Sequence, residues 1–279
     1  MNLPFEIDLK GQVAVVTGGS GVIGGMFCRA LGKCGAKVAV LGRRAENGAP
    51  VVSDIEAEGG EAISVSADVM DKESLEKAKA EILGKWSKIN ILINCAGGAV
   101  KSAEIPQDSF SELKEGDLSF FTTDMENIKR ELDLNIYGTM LPTQVFGEAM
   151  LNQENANIVN ISSMSAYLPL TRIPGYSAAK ASVTNFTQWA AAYFAKSGIR
   201  VNAIAPGFFQ TTQNYALHHN PDGTPTPRCQ KIINGTPMGK FGEPTDLVGA
   251  LLFLICPSSS FVTGTILPVD GGFSSFPGV

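Results

Sequence analysis

The chain has 279 residues, 44% of them hydrophobic and 18% charged, with a net charge of -5 and a pI near 5.2. That length allows one large core or at most two smaller domains, and the acidic balance lacks the basic footprint of a nucleic-acid binder. No apolar run approaches the roughly 20 residues of a membrane helix, and the opening MNLPFEIDLKG has acids and no apolar h-region, so neither a membrane span nor a secretory signal is expected.

Short apolar runs alternate with helical periodicity from the start. Residues 12–19, QVAVVTGG, form a Val-rich run stopped by glycine, as in a parallel strand covered on both faces. VIGGMFCRALGKCG then carries apolar residues at helical spacing and ends at Gly35, a natural residue for leaving a helix. A strand is expected over 37–42 (KVAVLG), a helix over APVVSDIEAEGG and a strand over 61–69 (EAISVSADV). A helix follows over DKESLEKAKAEILGKW, with Asp71 as its N-cap. A fourth strand spans 89–98 (INILINCAGG), and DMENIKRELDLNIYGTMLPTQVFGEAM reads as one long helix. Next come a strand over 156–163 (ANIVNISS), a helix from about 175 to 198 ending in Gly198, and a strand over 199–207 (IRVNAIAPG). A helix over EPTDLVGALLFLIC, with Pro244 near its start, and a last strand over TGTILPVDGG complete the series.

The pattern predicts a single α/β domain over 1–279, a Rossmann-type, doubly wound, mainly parallel sheet of about seven strands with helices on both faces. Two stretches resist regular assignment, an extended loop at about 98–123 and a segment at about 208–243 read as a substrate lid. Both follow the C-terminal end of a strand, where an open parallel sheet binds its ligands. The five cysteines, Cys28, Cys34, Cys95, Cys229 and Cys256, have no metal-site spacing and read as reduced, mostly buried thiols of a cytosolic protein.

TGGSGVIGG, residues 17–25, closes the first strand and opens the first helix, and Gly19-x-Gly21-x-x-Gly24 matches the dinucleotide fingerprint in that context. Glycine there permits a tight turn and close backbone approach to a pyrophosphate, and the helix N-terminus offers free N–H groups. The acid that would hold a ribose 2′-hydroxyl at the end of the second strand is absent, and Gly42, Arg43 and Arg44 stand there instead. Arginine can fork onto a 2′-phosphate, so NADP(H) is favoured, with NAD(H) still possible if the arginines are only solvated charge.

YSAAK places Tyr176 and Lys180 on one face of a helix, where an ammonium beside a phenol favours the phenolate. Ser163 stands thirteen residues before Tyr176 at a strand end, where its hydroxyl could hold a carbonyl oxygen while Tyr176 delivers a proton. Ser162 is expected to bond within the sheet edge.

The chain resembles the short-chain dehydrogenase/reductase family over essentially its whole length, through TGGSGVIG, INCAGG, LNIYG, NISS, YSAAK, VNAIAPGFFQT and TGTILPVDGG, in family order and spacing. The resemblance implies reversible hydride transfer between a nicotinamide and a carbonyl or alcohol carbon, with Ser163, Tyr176 and Lys180 as a triad. It implies Asn135 as a fourth member, lying in a kinked helix and holding a water that links the lysine to solvent. It also implies cofactor contacts at Gly18, Ser20, Val22 and Ile23, at Asp68 and Val69, at Asn94, Ala96 and Gly97, and at Pro206, Gly207, Phe209 and Thr211. Two positions depart from the family. Val22 replaces a glycine of the loop, and Cys95 replaces the second asparagine of NNAG, a residue that stabilises the central strand.

Wording such as GGSGVIGG, NFTQWAA and GFFQTTQN resembles a branch associated with sugar-acid oxidoreduction, D-fructuronate to D-mannonate. A hexuronate needs a cationic carboxylate partner and polar groups. Arg172 is the candidate cation, with Gln210 and Asn214 as polar contacts, Gln213, His218, His219 and Arg228 in the same 208–243 segment, and Lys101 in the other long segment. A 3-oxoacyl thioester or gluconate-type polyol reductase is the alternative, and a non-catalytic dinucleotide sensor is the remote one, disfavoured by Tyr176 with Lys180. The expected partners are a small-molecule sugar acid and copies of the same chain in a homotetramer, or a dimer, built through the two long helices and the C-terminal edge strand. No metal, nucleic acid or membrane is expected. The apolar tail GGFSSFPGV is expected against a neighbour.

Overall fold

In the computed structural model, residues 7–211, 215–276 and 278 are described. The runs read as strands form β1 (Val13–Thr17), β2 (Lys37–Gly42), β3 (Glu61–Ser66), β4 (Ile91–Asn94), β5 (Asn157–Ile161), β6 (Arg200–Pro206) and β7 (Ile266–Val269). They build one sheet in the order β3-β2-β1-β4-β5-β6-β7, and every ladder is parallel. Strand order reverses beside β1, whose Val15 faces Ala39 of β2 on one side and Leu92 of β4 on the other. A cleft must open there, beyond the C-terminal strand ends.

The helices are α1 (Val22–Lys33), α2 (Ala49–Ala57), α3 (Lys72–Trp86), α4 (Met125–Leu132), α5 (Gly138–Ala149), α6 (Pro174–Phe194), α7 (Tyr215–His218), α8 (Pro227–Gly235) and α9 (Asp246–Ile255). Successive strand side chains point to opposite faces, so β1 feeds two cores at once. Ala14 and Val16 join Phe27, Leu31, Ile55 and Leu251 beneath α1, α2 and α9. Val13 and Val15 join Leu75, Ile82, Phe146 and Ala190 beneath α3, α5 and α6. Burial on both faces explains why β1, β4 and β5 lack polar alternation. Asp71 caps α3 as expected, accepting from the Glu73 N–H at 2.9 Å.

Several boundaries differ from the sequence reading. β3 stops at Ser66 and β4 at Asn94, the latter because Gly97 and Gly98 take φ of +152° and +144° and leave the ladder. β5 stops at Ile161, after which the Ser163 hydroxyl accepts from the Ser165 N–H at 3.1 Å and caps a short 3-10 turn. The long helix expected over 125–150 is split between α4 and α5 by a π-helical turn, Asp133–Tyr137. The Thr139 hydroxyl donates to the Asn135 carbonyl at 2.8 Å and satisfies a group the π turn displaces. α9 begins at Asp246 and leaves Pro244 in the preceding turn. The stretch at 208–243 is not irregular throughout, because it holds α7 and α8. Thr226 caps α8, its hydroxyl accepting from the Cys229 N–H at 3.2 Å, and Pro227 occupies the first helical position.

Ser162 bonds within the sheet through its backbone N–H, which donates to the Ile204 carbonyl at 2.8 Å, and away from it through its hydroxyl. Its hydroxyl pairs with the Thr184 hydroxyl at 2.8 Å and donates to the Lys180 carbonyl at 3.2 Å, so it ties β5 to α6. Phe273 of the tail packs edge-on against Phe208 of the same chain, with ring centres 5.2 Å apart. Among the described residues, no helix is long and apolar enough to cross a membrane.

Phe146 is fully buried in the second core, so Phe146→Ala is expected to lower unfolding free energy by about 3–5 kcal/mol in urea titration. A loss under about 1 kcal/mol would remove this ring from the core that supports the sheet.

Candidate active site

The loop between β1 and α1 is shaped by its glycines. Gly18 has φ +64°, and a Cβ on it would lie 2.9 Å from the Ala96 Cα at the exit of β4. A Cβ on Gly24 would overlap the Gly18 carbonyl oxygen. Val22 is the first residue of α1, preceded by Gly21 in extended conformation (φ -79°), so a side chain is tolerated there. Gly19 is as crowded as Gly18, with a Cβ there 2.9 Å from the Val16 carbonyl oxygen, so the tight constraints fall on 18, 19 and 24, with Gly21 looser at 3.2 Å.

This loop forms one wall of a groove of about 1160 Å³ at the strand-order reversal. Gly18, Ser20, Val22 and Ile23 line it from the loop, and Arg43 and Arg44 from the exit of β2. Asp68 and Val69 line it after β3, Ala96 and Gly97 after β4, and Tyr176, Lys180 and Thr211 at its far end. Four other expected contacts stand outside this lining. Asn94 is buried, its Nδ2 donating to Thr143 Oγ1 and Asn160 Oδ1, both at 2.9 Å. Asn94 thus joins β4 to β5 and α5, a polar tie that leaves Cys95 free to be a thiol, with burial pushing that thiol up to about 12. Pro206 pairs with Val269, and Gly207 leaves room for Asp270, whose Cα would be 2.6 Å from a Cβ there. Phe209 is buried against Gly242 and lines a separate cavity of about 420 Å³ with Phe208 and Phe241.

Sequence reasoning missed one wall. Glu126, Lys129, Arg130 and Asp133 line the groove from α4 and the π turn. Their spacing of three, four and seven residues was the available signal. The groove fits a dinucleotide. Gly18, Gly21 and Gly24 bring bare backbone to its lining, and α1 opens beside them with no side chain capping its first N–H groups.

Beyond the loop, Ser163, Tyr176, Lys180 and Asn135 converge. Burial pushes the Tyr176 phenol up to about 12, and Ser163 acts on it in the opposite direction, favouring phenolate. Lys180 is buried, its Nζ donating to the Ile161 carbonyl at 2.7 Å and lying 5.5 Å from the centre of the Tyr176 ring. Burial lowers the Lys180 ammonium to about 8. Asn135 sits in the π turn. Its Oδ1 accepts from the Gly98 N–H at 3.0 Å, and its Nδ2 donates to the Gly98 and Glu131 carbonyls at 2.9 and 2.8 Å. Gly97 fits between the two polar residues, since a Cβ there would lie 2.6 Å from Asn135 Oδ1 and 3.5 Å from Lys180 Nζ.

The two long segments meet over ion pairs. Glu104 Oε1 accepts from Arg172 at 2.9 Å and from Arg228 of α8 at 3.0 Å, and Asp108 pairs with Lys231 of α8. Arg172 also donates to the Ile105 carbonyl at 3.0 Å. Gln210 reaches His219 at 3.5 Å. Asn214 and Gln213 lie outside the described residues. Burial, with Arg228 nearby, lowers His218 and favours its neutral ring.

Fold and groove together define a nicotinamide-dependent oxidoreductase: the chain belongs to the short-chain dehydrogenase/reductase family, and residues 19–274 match the family profile described as Enoyl-(Acyl carrier protein) reductase. It is 50% identical over 278 residues to an uncharacterized oxidoreductase of Bacillus subtilis, UxuB, covering 99% of this chain and 100% of that one. A solved structure of a candidate D-mannonate oxidoreductase from Haemophilus influenzae, with bound NAD, is 44% identical and superposes with a TM-score of 0.94 over 98% of both chains. A gluconate 5-dehydrogenase from Burkholderia cenocepacia, in complex with NADP and tartrate, is 28% identical with a TM-score of 0.81, covering 97% of this chain and 98% of that one.

Gly24→Ala is expected to weaken dinucleotide binding by about tenfold or more, read by fluorescence titration of the reduced dinucleotide, because the added methyl displaces the Gly18 carbonyl. Wild-type affinity in this variant would mean that the Gly18–Gly24 contact does not shape the site.

Proposed function

We propose that the protein reversibly reduces a sugar-acid ketone, D-fructuronate to D-mannonate, with NADP(H) preferred over NAD(H). The observation carrying the reaction type is the buried Lys180, its Nζ 5.5 Å from the centre of the Tyr176 ring, with the buried Ser163 acting on the same phenol. The sugar-acid assignment rests on the likeness to the candidate D-mannonate oxidoreductase.

A bound nicotinamide supplies the hydride in reduction and takes it in oxidation. The Gly18–Gly24 loop, Asp68, Val69, Ala96 and Gly97 hold the dinucleotide, and Thr211 closes its far end. Ser163 donates to the substrate carbonyl oxygen and orients it toward the phenol. Tyr176 gives that oxygen its proton, and the Lys180 ammonium stabilises the phenolate left behind. Asn135 keeps the π turn and Gly98 in register beside Lys180. Arg43 and Arg44, with no carboxylate at the end of β2, favour a dinucleotide with a 2′-phosphate. Arg172 and Arg228 share one carboxylate, Glu104, so this segment retains a positive charge for an anionic substrate. We also assign the exposed stack of Trp189 and Tyr193 on α6, with ring centres 4.9 Å apart, to a subunit interface of a homotetramer.

A panel of fructuronate, tagaturonate, 5-ketogluconate and an acetoacetyl thioester tests the substrate, and turnover of the thioester alone overturns the sugar-acid reading. NADPH is expected to exceed NADH in kcat/KM by about tenfold, and equality or reversal removes the role given to Arg43 and Arg44. Tyr176→Phe is expected to abolish turnover with dinucleotide affinity intact. Because Lys180 loses its proton near about 8, kcat/KM for reduction is expected to hold below that pH and to decline above it. A profile flat through that range would separate Lys180 from the proton transfer.

A further inference from the structure

Among the described residues, the fold fully or almost fully buries one lysine and one carboxylate, Lys180 and Glu131, and both are at the same site. Lys180 has its use beside Tyr176. Glu131 has none in the proton transfer described above, yet a buried carboxylate is expensive unless something holds it.

Three segments meet on Glu131. Its Oε1 accepts from the Val100 N–H at 2.7 Å, in the loop that leaves β4 and lines the groove. Its main-chain carbonyl accepts from Asn135 Nδ2 at 2.8 Å. Its Oε2 lies against the first turn of α6, where a Cβ on Gly175 would come within 2.5 Å of it. Gly175 has no unusual backbone conformation, so the missing side chain there makes room. Oε2 makes no hydrogen bond of ordinary geometry. The Tyr176 backbone N–H nevertheless faces the carboxylate and favours its ionised form, as the positive end of a helix dipole should.

We infer that Glu131 is a positioning residue: its buried carboxylate ties the β4 exit loop at Val100 to the first turn of α6, and so sets where the Tyr176 phenol stands relative to Lys180 and the groove. The inference rests on Tyr176 carrying the proton, as proposed above, but not on the identity of the substrate.

Charge supports the geometry. Burial pushes the Glu131 carboxyl up, the Val100 and Tyr176 N–H groups pull it down, and Glu104 is the other carboxylate acting on it. Burial does most to raise the Tyr176 phenol, Ser163 lowers it, and Glu131 and Cys95 add to the rise, with Lys180 Nζ 5.5 Å from the ring centre. Glu131 therefore keeps Tyr176 a proton donor while fixing its place.

Glu131→Gln in the full-length protein removes the charge at constant size and sets an NH₂ against one of the two backbone N–H groups. With NADP+ bound, the Tyr176 phenolate can be titrated by near-ultraviolet absorbance, using Tyr176→Phe as the blank. The midpoint is expected to fall in Glu131→Gln. Turnover of whichever carbonyl wild type reduces is expected to fall about tenfold in kcat, with KM and dinucleotide Kd within about threefold. Gly175→Ala keeps the charge but crowds Oε2, so kcat should fall without the shift in midpoint. An unmoved midpoint in folded Glu131→Gln overturns the inference, as does a loss of Kd in parallel with kcat, which would mark general unfolding of the site. The titration needs no substrate, so a sugar-acid panel that fails leaves this result standing on its own.

Discussion

The site depends on how closely the C-terminal ends of β1 and β4 approach each other. The Thr17 hydroxyl accepts from the N–H groups of Cys95 and Ala96, at 3.1 and 3.2 Å, and pins the two exits together just where strand order reverses. With Thr17 fully buried, these bonds are made away from water, where an unmet N–H is expensive. The next residue must then turn within van der Waals distance of Ala96, which glycine at φ +64° allows and a side chain forbids. The position of the loop, the start of α1 and the depth of the groove follow from that contact. So does the departure of Gly97 and Gly98 from the ladder, which brings backbone to Asn135.

That constraint explains which parts of the molecule were legible in the sequence. Strands buried on both faces are continuous apolar runs, so β1, β4 and β5 could be read directly, while the partly exposed edge strands β3 and β7 were placed by the alternation with helices, and YSAAK could be placed on a helix face. Their ends were less legible, because β4 stops where tertiary contacts to Thr17 and Asn135 take over, four residues short of the apolar run's end. The fingerprint glycines at 19, 21 and 24 were visible as spacing, but the stress at Gly18 comes from Ala96, 78 residues away. α8 was hidden because TPTPRC has turn composition, and its Pro at the first helical position starts a helix as well as it breaks one.

Glu131 was illegible for a related reason. MENIKREL reads as a polar, solvent-facing helix turn, and nothing local distinguishes Glu131 from Glu126, which lines the open groove. Only the π turn and the approach of α6 bury it. Among the described residues, the fold's buried lysine and carboxylate both belong to this site, with Lys180 Nζ 5.5 Å from the centre of the Tyr176 ring and Glu131 Oε2 against Gly175, the residue before Tyr176.

The contact between the two long segments obeys a weaker rule. Glu104 with Arg172 and Arg228, and Asp108 with Lys231, join the extended loop to α8 through partly exposed side chains. Pairs of that exposure are worth about 0.2–1 kcal/mol each and are screened by salt. The rigid elements, β4, β5 and α6, carry the reacting groups. The ion-paired segments are joined by screened charge, whereas the rigid elements are held by core packing. Arg172 illustrates the division: the sequence marks it as a carboxylate partner, and the fold gives it one within its own chain, Glu104, which an anionic substrate would have to share.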